Sequence, residues 1–532
     1  MTALVFLAVF AFYLAGASPA IAPRDAADMA SAALTLGVAH PPGYPLYAVL
    51  GKAWLAVFTA GNPAYRLAVL SALAAAGAAA LLFAFVRRRR GAWAGLAAAA
   101  VWAFSAPLWK FALIQEKYAL HALFAAGLLF LSEGGRDDVW RRARLSGFLI
   151  GLGLVNHQSL LLWLPGLLWL WKTECGRHDA PLDRALSVAA PWLAAGLSLY
   201  GFLWVRLGGL GPALATASRA QYGSGTLFAG LARPLTAERA VGLFSWSLGA
   251  WARAVGLPAA AAAALGAAAA WREERGRAAG LLVGALAAGP LFVILSRFDP
   301  SSWIARSVLE PALLLPAMTA ALFAGEACAY AGAGAAASAL ALAVAAQLAR
   351  VPVPERREDF LAHDYAQNLR RAVPPAGALL AGGDTALFGL RWLDLTAPRI
   401  EGITAARDVA GIGLTDPRRW LDARSGRPDV FVTGVGLNDL TALGLGTRER
   451  PLSPEGLVQR VGRPAPARSS EFVVLRRPNS WERDDSYARD AKLSYAYASW
   501  VAARLMERQG ARPPETLDLS AVSLDPEDYR LE

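Results

Sequence analysis

The chain has 532 residues, of which 56% are hydrophobic and 17% charged, and its mean hydropathy is +0.36. A soluble protein has about 25% charged residues, so this composition excludes an ordinary soluble protein and predicts a polytopic membrane protein. The net charge of +11 does not indicate nucleic-acid binding, since the arginines cluster in short loops beside apolar runs. The two cysteines, Cys175 and Cys328, form no disulfide framework and no zinc-binding spacing.

The N-terminal residues 2–22 form an apolar run that ends in small residues. The run resembles a secretory signal peptide, but no basic residues precede its apolar core. We therefore expect an uncleaved first helix near residues 2–17.

Two acids, Asp25 and Asp28, follow this helix at a spacing of three residues. A helix that begins there carries both acids on one face. One interpretation is helix capping, because acids in a first turn satisfy free backbone N–H groups and match the helix dipole. The other is a catalytic or binding role, because charged groups near a bilayer are costly and usually have a function.

The next segment, "HPPGYP" at residues 40–45, predicts a rigid loop against the membrane. Its prolines fix backbone dihedral angles, and Gly43 permits an unusual turn between them. His40 is either an ordinary loop histidine or a donor to a phosphate or an acceptor hydroxyl. Residues 44–60 are short and rich in aromatic residues, which favours an interfacial helix over a membrane span.

Apolar stretches that suit a hydrocarbon core of about 30 Å recur over residues 1–350. We place them near 2–17, 65–86, 92–108, 118–132, 186–204, 252–270, 278–296, 306–326 and 329–348. Residues 145–171 are apolar for longer but carry a polar centre at Asn156 and His157. We predict that this stretch forms two short helices, with the polar centre satisfying backbone groups freed at the break, and eleven segments in total.

Four short basic loops, at 87–90, 136–144, 172–184 and 271–277, indicate the topology. If residues 145–171 turn back on themselves, all four loops lie on one face, which the positive-inside rule makes cytoplasmic. The opposite face then receives both N-terminal acids and several basic side chains. Arg306 and Glu310 stand one helical turn apart, which favours an internal ion pair.

Residues 351–532 hold dense charge and predict a soluble α/β domain on that outer face. Strand-like runs occur at 377–383, 429–434 and 471–477, and helical patterns occur at 358–372 and 490–510. Asp384 follows the first of these strands, where we expect it to cap a helix. We expect this domain to position acceptors without chemistry of its own.

The motif "DAADM…LGVAHPPGYPLY" resembles the signature of a large family of polytopic membrane O-mannosyltransferases, formerly a domain of unknown function. The resemblance continues in "NPAYRLAVLSAL", "QEKYALHALF", "GLGLVNHQSLLL", "RAQYG" and "ARSVLEPALLLPA". It is strong over residues 1–350 and weak over the soluble domain. Three departures stand out. The family usually has Glu at the position of Asp28, an apolar residue at the position of Lys117, and a Trp-Gly pair before "RAQYG" that is missing from this chain.

The resemblance implies a GT-C glycosyltransferase fold and transfer of mannose or a similar hexose from a polyprenyl-phosphate donor. It also implies an inverting reaction on a protein or glycan hydroxyl, in which Asp25 is the general base. Asp28 and Glu116 would orient the substrates, and Arg206, Arg219 and Arg306 would hold the phosphate. The remaining candidate substrate-binding residues are His40, Tyr44, Tyr118, His157 and Tyr222.

The sequence leaves a non-enzymatic alternative, a flippase for lipid-linked glycans or a cell-envelope assembly scaffold. A divalent metal is compatible with His40 and the two acids, but no ligand spacing supports one. The expected partners are the bilayer, the lipid-linked donor and the acceptor, with no nucleic acid. The expected location is a bacterial inner membrane, with the active site on the periplasmic face.

Overall fold

A computed structural model describes residues 1–220, 233–330, 359–374, 377–396, 408–411, 416–433, 443–462 and 491–495, with single positions at 334, 341, 344, 345, 348 and 498. The chain divides into two compact units. The first comprises Met1–Ser18 and Ala32–Arg357, and the second comprises Pro19–Ser31 and Glu358–Glu532. The predicted domain boundary near residue 350 lies outside the described residues and stays a prediction.

The first unit is helical, and helix α2 begins in the N-terminal segment of the second unit. Its helices are α1 Thr2–Gly16, α2 Ala26–Thr35, α3 Pro45–Val57, α4 Pro63–Ala103, α5 Ala106–Ala112, α6 Lys117–Leu131, α7 Val139–Asn156, α8 Leu160–Arg177, α9 Leu182–Leu197, α10 Gly201–Leu207, α11 Leu210–Ala217, α12 Ala237–Val255, α13 Leu257–Glu273, α14 Arg275–Leu286, α15 Phe292–Ser296, α16 Trp303–Leu309 and α17 Leu314–Tyr330. A π-helical turn, Ala287–Leu291, joins α14 to α15.

Within the described residues, four helical stretches are long and apolar enough to cross a membrane: Pro63–Ala103, Leu182–Leu207, Arg275–Ser296 and Ala305–Tyr330. The pair α12 and α13, bent by 109°, forms a fifth if it is a single broken span. Helix α3 has 13 residues, which agrees with the predicted interfacial helix at 44–60. The predicted span at 329–348 lies largely outside the described residues, and the count of eleven stays a prediction.

Helix α4 contains the predicted span 65–86 and most of the predicted span 92–108, folded into a hairpin. Its helical path breaks at Gly91, where φ is 84° and ψ is 175°. Beyond this turn the chain folds back on itself. The close approach of Gly95 to Phe83 shows this, since a Cβ on Gly95 would lie 2.8 Å from the carbonyl oxygen of Phe83. The four arginines 87–90 therefore sit at the tip of the hairpin.

The predicted break in residues 145–171 is confirmed. Helix α7 ends at Asn156 and α8 begins at Leu160. The two helices are antiparallel, because Arg142 near the start of α7 pairs with Glu174 near the end of α8 at 3.2 Å. The turn between them therefore lies at the end of the hairpin that is remote from Arg142.

The four basic loops are joined by ion pairs at one end of the bundle. Arg89 contacts Glu133 at 2.6 Å and Glu274 at 2.5 Å, and Arg142 contacts Glu174 at 3.2 Å. A further ion pair between Arg177 and Glu274 completes the connection of all four loops, so the prediction that they share one face is confirmed. The side of the membrane on which this face lies stays a prediction.

The second unit contains a mixed five-stranded sheet, which confirms the predicted α/β character. The described strands are β1 Ala378–Ala381, β2 Asp408–Gly411, β3 Val430–Thr433, β4 Leu452–Glu455 and β5 Val458–Val461, and the helices are α18 Leu361–Ala372, α19 Asp384–Thr396 and α20 Pro417–Asp422. The strand order is β2-β1-β3-β5-β4, in which β1 pairs in parallel with both β2 and β3. β5 pairs antiparallel with β3 and β4.

The sequence predicted β1, β3 and α18 in this unit but not β2, β4 and β5. The predicted strand at 471–477 lies outside the described residues, and so does most of the helix at 490–510. Asp384 is the first residue of α19, after Gly383 with a φ of 82°. This position agrees with the predicted helix start, and the capping role itself stays a prediction.

Candidate active site

The rigid loop predicted at residues 40–45 is a tight turn in the first unit. The N–H of Gly43 donates a hydrogen bond to the carbonyl oxygen of His40 at 2.9 Å, and α3 begins directly afterwards at Pro45. Gly43 has a φ of 92°, and a Cβ there would lie 2.7 Å from Leu203 and 3.3 Å from Thr216. Only glycine satisfies both the dihedral angle and the close approach of α10 and α11.

Tyr44 emerges from this turn and joins a cluster of aromatic and histidine rings. Its ring lies 5.1 Å from that of His40 and is stacked on His157 at 6.1 Å. The ring of Tyr118 lies 5.2 Å from the same His157. Four predicted substrate-binding residues, from the 40–45 loop, α6 and the break between α7 and α8, therefore meet in one place.

A buried ion pair adjoins this cluster at the start of α6. Nζ of Lys117 lies 3.0 Å from a carboxylate oxygen of Glu116, and both side chains are at most 1% exposed. The ammonium group also lies 4.9 Å from the centre of the Tyr44 ring and 4.6 Å from that of Tyr118. Electron-rich ring faces attract a cation. Lys117 therefore contacts both tyrosine rings and the carboxylate of Glu116, one of the predicted site residues.

The break between α7 and α8 supplies further hydrogen bonds to the site. Nδ1 of His157 lies 2.6 Å from the hydroxyl oxygen of Ser159, which in turn lies 3.4 Å from Nε2 of His121. The amide of Gln158 donates to the carbonyl oxygen of Ala217 at 2.7 Å. The polar residues at the α7–α8 break therefore do more than satisfy backbone groups freed at the break. Through Gln158 they also hydrogen-bond the end of α11 beside the ring cluster.

His121 is not among the site residues predicted from the sequence, and Lys117 stood out there as a charged residue where the family usually has an apolar one. Both are detectable in the motif "EKYALH", since His121 follows Lys117 at a spacing of four residues and shares its helix face.

The basic residues predicted to hold phosphate lie in three separate segments: Arg206 in α10, Arg219 shortly after α11 and Arg306 in α16. Arg206 is exposed at the end of α10. Arg219 adopts a left-handed conformation, with φ at 57°, two residues after the anchored Ala217. Tyr222 lies outside the described residues.

The predicted ion pair between Arg306 and Glu310 is wrong. Glu310 accepts hydrogen bonds from Nζ of Lys110 at 2.8 and 3.2 Å, while Arg306 is exposed. Helical spacing favoured Arg306 as the partner of Glu310. In the folded chain the partner is instead Lys110, which is 200 residues away in the sequence.

Asp25 and Asp28 belong to the second unit, in its segment Pro19–Ser31. The N–H of Met29 donates to the carbonyl oxygen of Asp25 at 2.8 Å, so Asp25 occupies the position before the first residue of α2. Asp25 is half-buried and Asp28 is 8% exposed in the first turn. This geometry agrees with the capping interpretation.

Among the described residues, no group of three or more histidine, cysteine, aspartate or glutamate side chains is arranged to hold a metal ion.

Comparisons with known proteins support the family resemblance. Residues 25–177 match the sequence model of the N-terminal domain of protein O-mannosyl-transferase TMEM260. The chain is 31% identical over 206 residues to protein O-mannosyl-transferase TMEM260 of Mus musculus and 27% identical over 220 residues to that of Dictyostelium discoideum. These alignments cover 37% and 38% of this chain but only 29% and 27% of the relatives.

The fold is similar to the crystal structure of ArnT from Cupriavidus metallidurans bound to undecaprenyl phosphate. The TM-score is 0.53 at 14% identity, over 86% of this chain and 97% of ArnT. The predicted GT-C-like membrane fold is therefore confirmed, and the protein is an integral membrane protein. The predicted O-mannosyltransferase-like resemblance is confirmed as well.

Proposed function

We propose that this chain, with a TMEM260-type domain at residues 25–177 and a GT-C-like fold, is a membrane glycosyltransferase. It moves mannose or a similar hexose from a polyprenyl-phosphate donor to a hydroxyl group of a protein or glycan. The observation that carries the proposal is the domain match, which begins at Asp25 and ends after the α7–α8 hairpin. It therefore includes both acids and the whole ring cluster.

In the proposed reaction the carboxylate of Asp25 accepts the proton of the acceptor hydroxyl. The acceptor oxygen attacks the anomeric carbon of the sugar, and the bond from that carbon to the phosphate oxygen breaks with inversion. The leaving polyprenyl phosphate carries the negative charge. General base catalysis of this kind contributes about 10²–10⁴-fold to the rate.

The other candidate residues receive supporting roles. Asp28 and Glu116 orient the substrates, and His40, Tyr44, Tyr118 and His157 line the sugar pocket, with Tyr222 as a further contact. Arg206, Arg219 and Arg306 stabilise the leaving phosphate. The ring cluster supports the pocket assignment, because aromatic rings with a few fixed polar groups are typical of small-ligand sites.

We also propose that the active site lies on the outer face of a bacterial inner membrane. The α7–α8 turn with His157 lies at the end of the hairpin remote from Arg142, which belongs to the basic-loop face. The positive-inside rule makes the basic-loop face cytoplasmic. The ring cluster is then on the periplasmic side.

The direct test is an assay of the purified full-length protein with a radiolabelled mannosyl-phosphoryl polyprenol and acceptor peptides. Asp25→Asn should lower the rate of label transfer by at least about 10²-fold while the melting temperature changes little. Asp28→Glu is the matched control, because it installs the residue that is usual in the family and should retain transfer.

Near-normal transfer by Asp25→Asn would remove Asp25 from the role of base. Absence of transfer by the wild-type protein to any acceptor, together with donor movement across vesicle membranes, would favour the non-enzymatic flippase instead.

A further inference from the structure

Three arginines that the proposed function does not use converge on the loop after α15. The backbone N–H of Arg233 donates to the carbonyl oxygen of Arg297 at 3.1 Å, and Nη2 of Arg239 donates to the same oxygen at 3.4 Å. Arg297 itself ends α15 in a left-handed conformation, with φ at 58°. We refer to Arg233, Arg239 and Arg297 as the arginine triad.

The positive charge of the triad is only partly compensated. Within the described part of the chain, none of its guanidinium groups forms an ion pair, and Nε of Arg239 is buried without a hydrogen-bond partner. The nearby acids are Glu238, exposed in the first turn of α12, and Asp299 in the loop. The pKa of Asp299 is lowered mainly by hydrogen bonds from Ser301 and further by the charges of Arg239 and Arg233.

The triad lies at the end of the bundle opposite the basic loops. The membrane-spanning stretch Arg275–Ser296 begins near Arg277, which pairs with Glu133 at 2.6 Å on the basic-loop face, and it ends one residue before Arg297. Arginines are disfavoured in short loops on the side opposite the positive-inside face. A cluster of three there requires an explanation other than topology.

Exposed apolar side chains flank the triad on both elements that carry it. Leu235, two residues before α12, is 41% exposed, and Leu295 near the end of α15 is 58% exposed. In a membrane protein such side chains face lipid tails, so the neighbouring guanidinium groups stand at the level of the lipid headgroups. A guanidinium group pairs with phosphate oxygens through parallel hydrogen bonds, which makes a lipid-borne phosphate the matching ligand.

We propose that the arginine triad binds the phosphate of an anionic membrane lipid at the face opposite the basic loops. The acyl or prenyl chain of that lipid lies along the exposed side chains of α12 and α15. This inference does not rest on the proposed activity, because binding is measured without turnover.

The test compares full-length wild-type protein with the triple variant R233Q/R239Q/R297Q by native mass spectrometry and thermal shift. The probes are phosphatidylglycerol, undecaprenyl phosphate and, as a neutral reference, phosphatidylcholine. The matched control is R253Q/R272Q/R275Q, which also removes three exposed arginines, none of them in the triad.

The triad variant should bind phosphatidylglycerol at least about tenfold more weakly than the wild-type protein, because it loses charge-assisted hydrogen bonds to the phosphate. The control should keep wild-type affinity. If undecaprenyl phosphate competes for the same site and is lost in the same variant, the bound lipid is the sugar carrier. If only phosphatidylglycerol is affected, the bound lipid is a bulk phospholipid. Unchanged binding of both anionic lipids, or an equal loss in the control, would overturn the inference.

Discussion

At the scale of single residues, the ammonium group of Lys117 is completely buried, and its neighbours account for its charge. Glu116 supplies a carboxylate at 3.0 Å, and the rings of Tyr44 and Tyr118 present their faces to the cation. Removing two charges from water is costly, so a buried ion pair of this kind contributes little net stability to a helical bundle. Its position beside the histidine rings is better explained by a role in shaping the pocket.

Lys117→Met should destabilise the protein strongly, because it removes the cation from a buried carboxylate. We expect a loss of about 3–5 kcal/mol, measured by unfolding in detergent. The double variant E116Q/K117M should recover much of the loss. Lys172→Met, at an exposed lysine, is the control, and an equal effect in that variant would contradict the explanation.

A second residue-scale prediction concerns Tyr495, where burial raises the pKa to about 12 although the amide of Asn368 donates to its hydroxyl oxygen. The ordinary value is about 10, so the native protein retains this proton at a pH where the unfolded chain has lost it. The resulting stability is fully present below pH 10 and is lost as pH rises towards 12. Tyr495→Phe should flatten the decline of the urea midpoint over this range, and an unchanged slope would refute the assignment.

At the scale of elements, glycines allow the close packing of particular helix pairs. A Cβ on Gly151 of α7 would lie 2.5 Å from the carbonyl oxygen of Leu193 in α9. One on Gly166 of α8 would lie 2.5 Å from the carbonyl oxygen of Gly280 in α14, and it would meet the backbone of Gly284 as well. In a membrane the backbones of packed helices approach closely only where side chains are small.

Gly166→Ala should lower the melting temperature in detergent, since the added methyl group meets backbone atoms that cannot rotate away. Gly176 lies on the same helix, and a Cβ there would meet nothing within 4 Å. Gly176→Ala should therefore be neutral or stabilising, by up to about 1 kcal/mol from helix propensity. Equal behaviour of the two variants would show that the contact between α8 and α14 is looser than described.

At the scale of the whole molecule, the segment that carries both N-terminal acids groups with residues far along the chain. Pro19–Ser31 belongs to the second unit, and a Cβ on Gly389 of α19 would lie 3.9 Å from Ile21. The C-terminal region therefore packs against the segment that contains the proposed base, and its role in positioning acceptors stays a prediction.

Deleting residues 351–532 should abolish transfer even to a small synthetic acceptor, since Pro19–Ser31 loses its packing partners. The measurement is label transfer by protein that still inserts into membranes. Asp384→Ala is the control within the same unit, with an expected cost of about 1 kcal/mol and retained transfer. Full transfer by the truncated chain would restore the purely acceptor-positioning role.

Local patterns were sufficient for features that depend on near neighbours in the chain. The polar centre at Asn156 predicted the α7–α8 break, because an apolar stretch of that length with polar groups at its middle favours a turn. Composition predicted the helical membrane part and the α/β part, and the signature around Asp25 indicated the family. The same local logic failed at Glu310, where the expected partner Arg306 was one turn away and the actual partner, Lys110, is 200 residues distant.

The sequence by itself therefore determined the membrane character, the shared face of the basic loops and the identity of most residues in the ring cluster. Only the tertiary structure decided that Lys117 and His121 join that cluster, that Arg233 and Arg239 meet Arg297, and that Pro19–Ser31 groups with the second unit. The physical reason is that periodicity and motif chemistry act over a few residues along the chain. Contacts between distant segments depend instead on how closely whole helices pack, which the glycines of α7 and α8 control through their missing side chains.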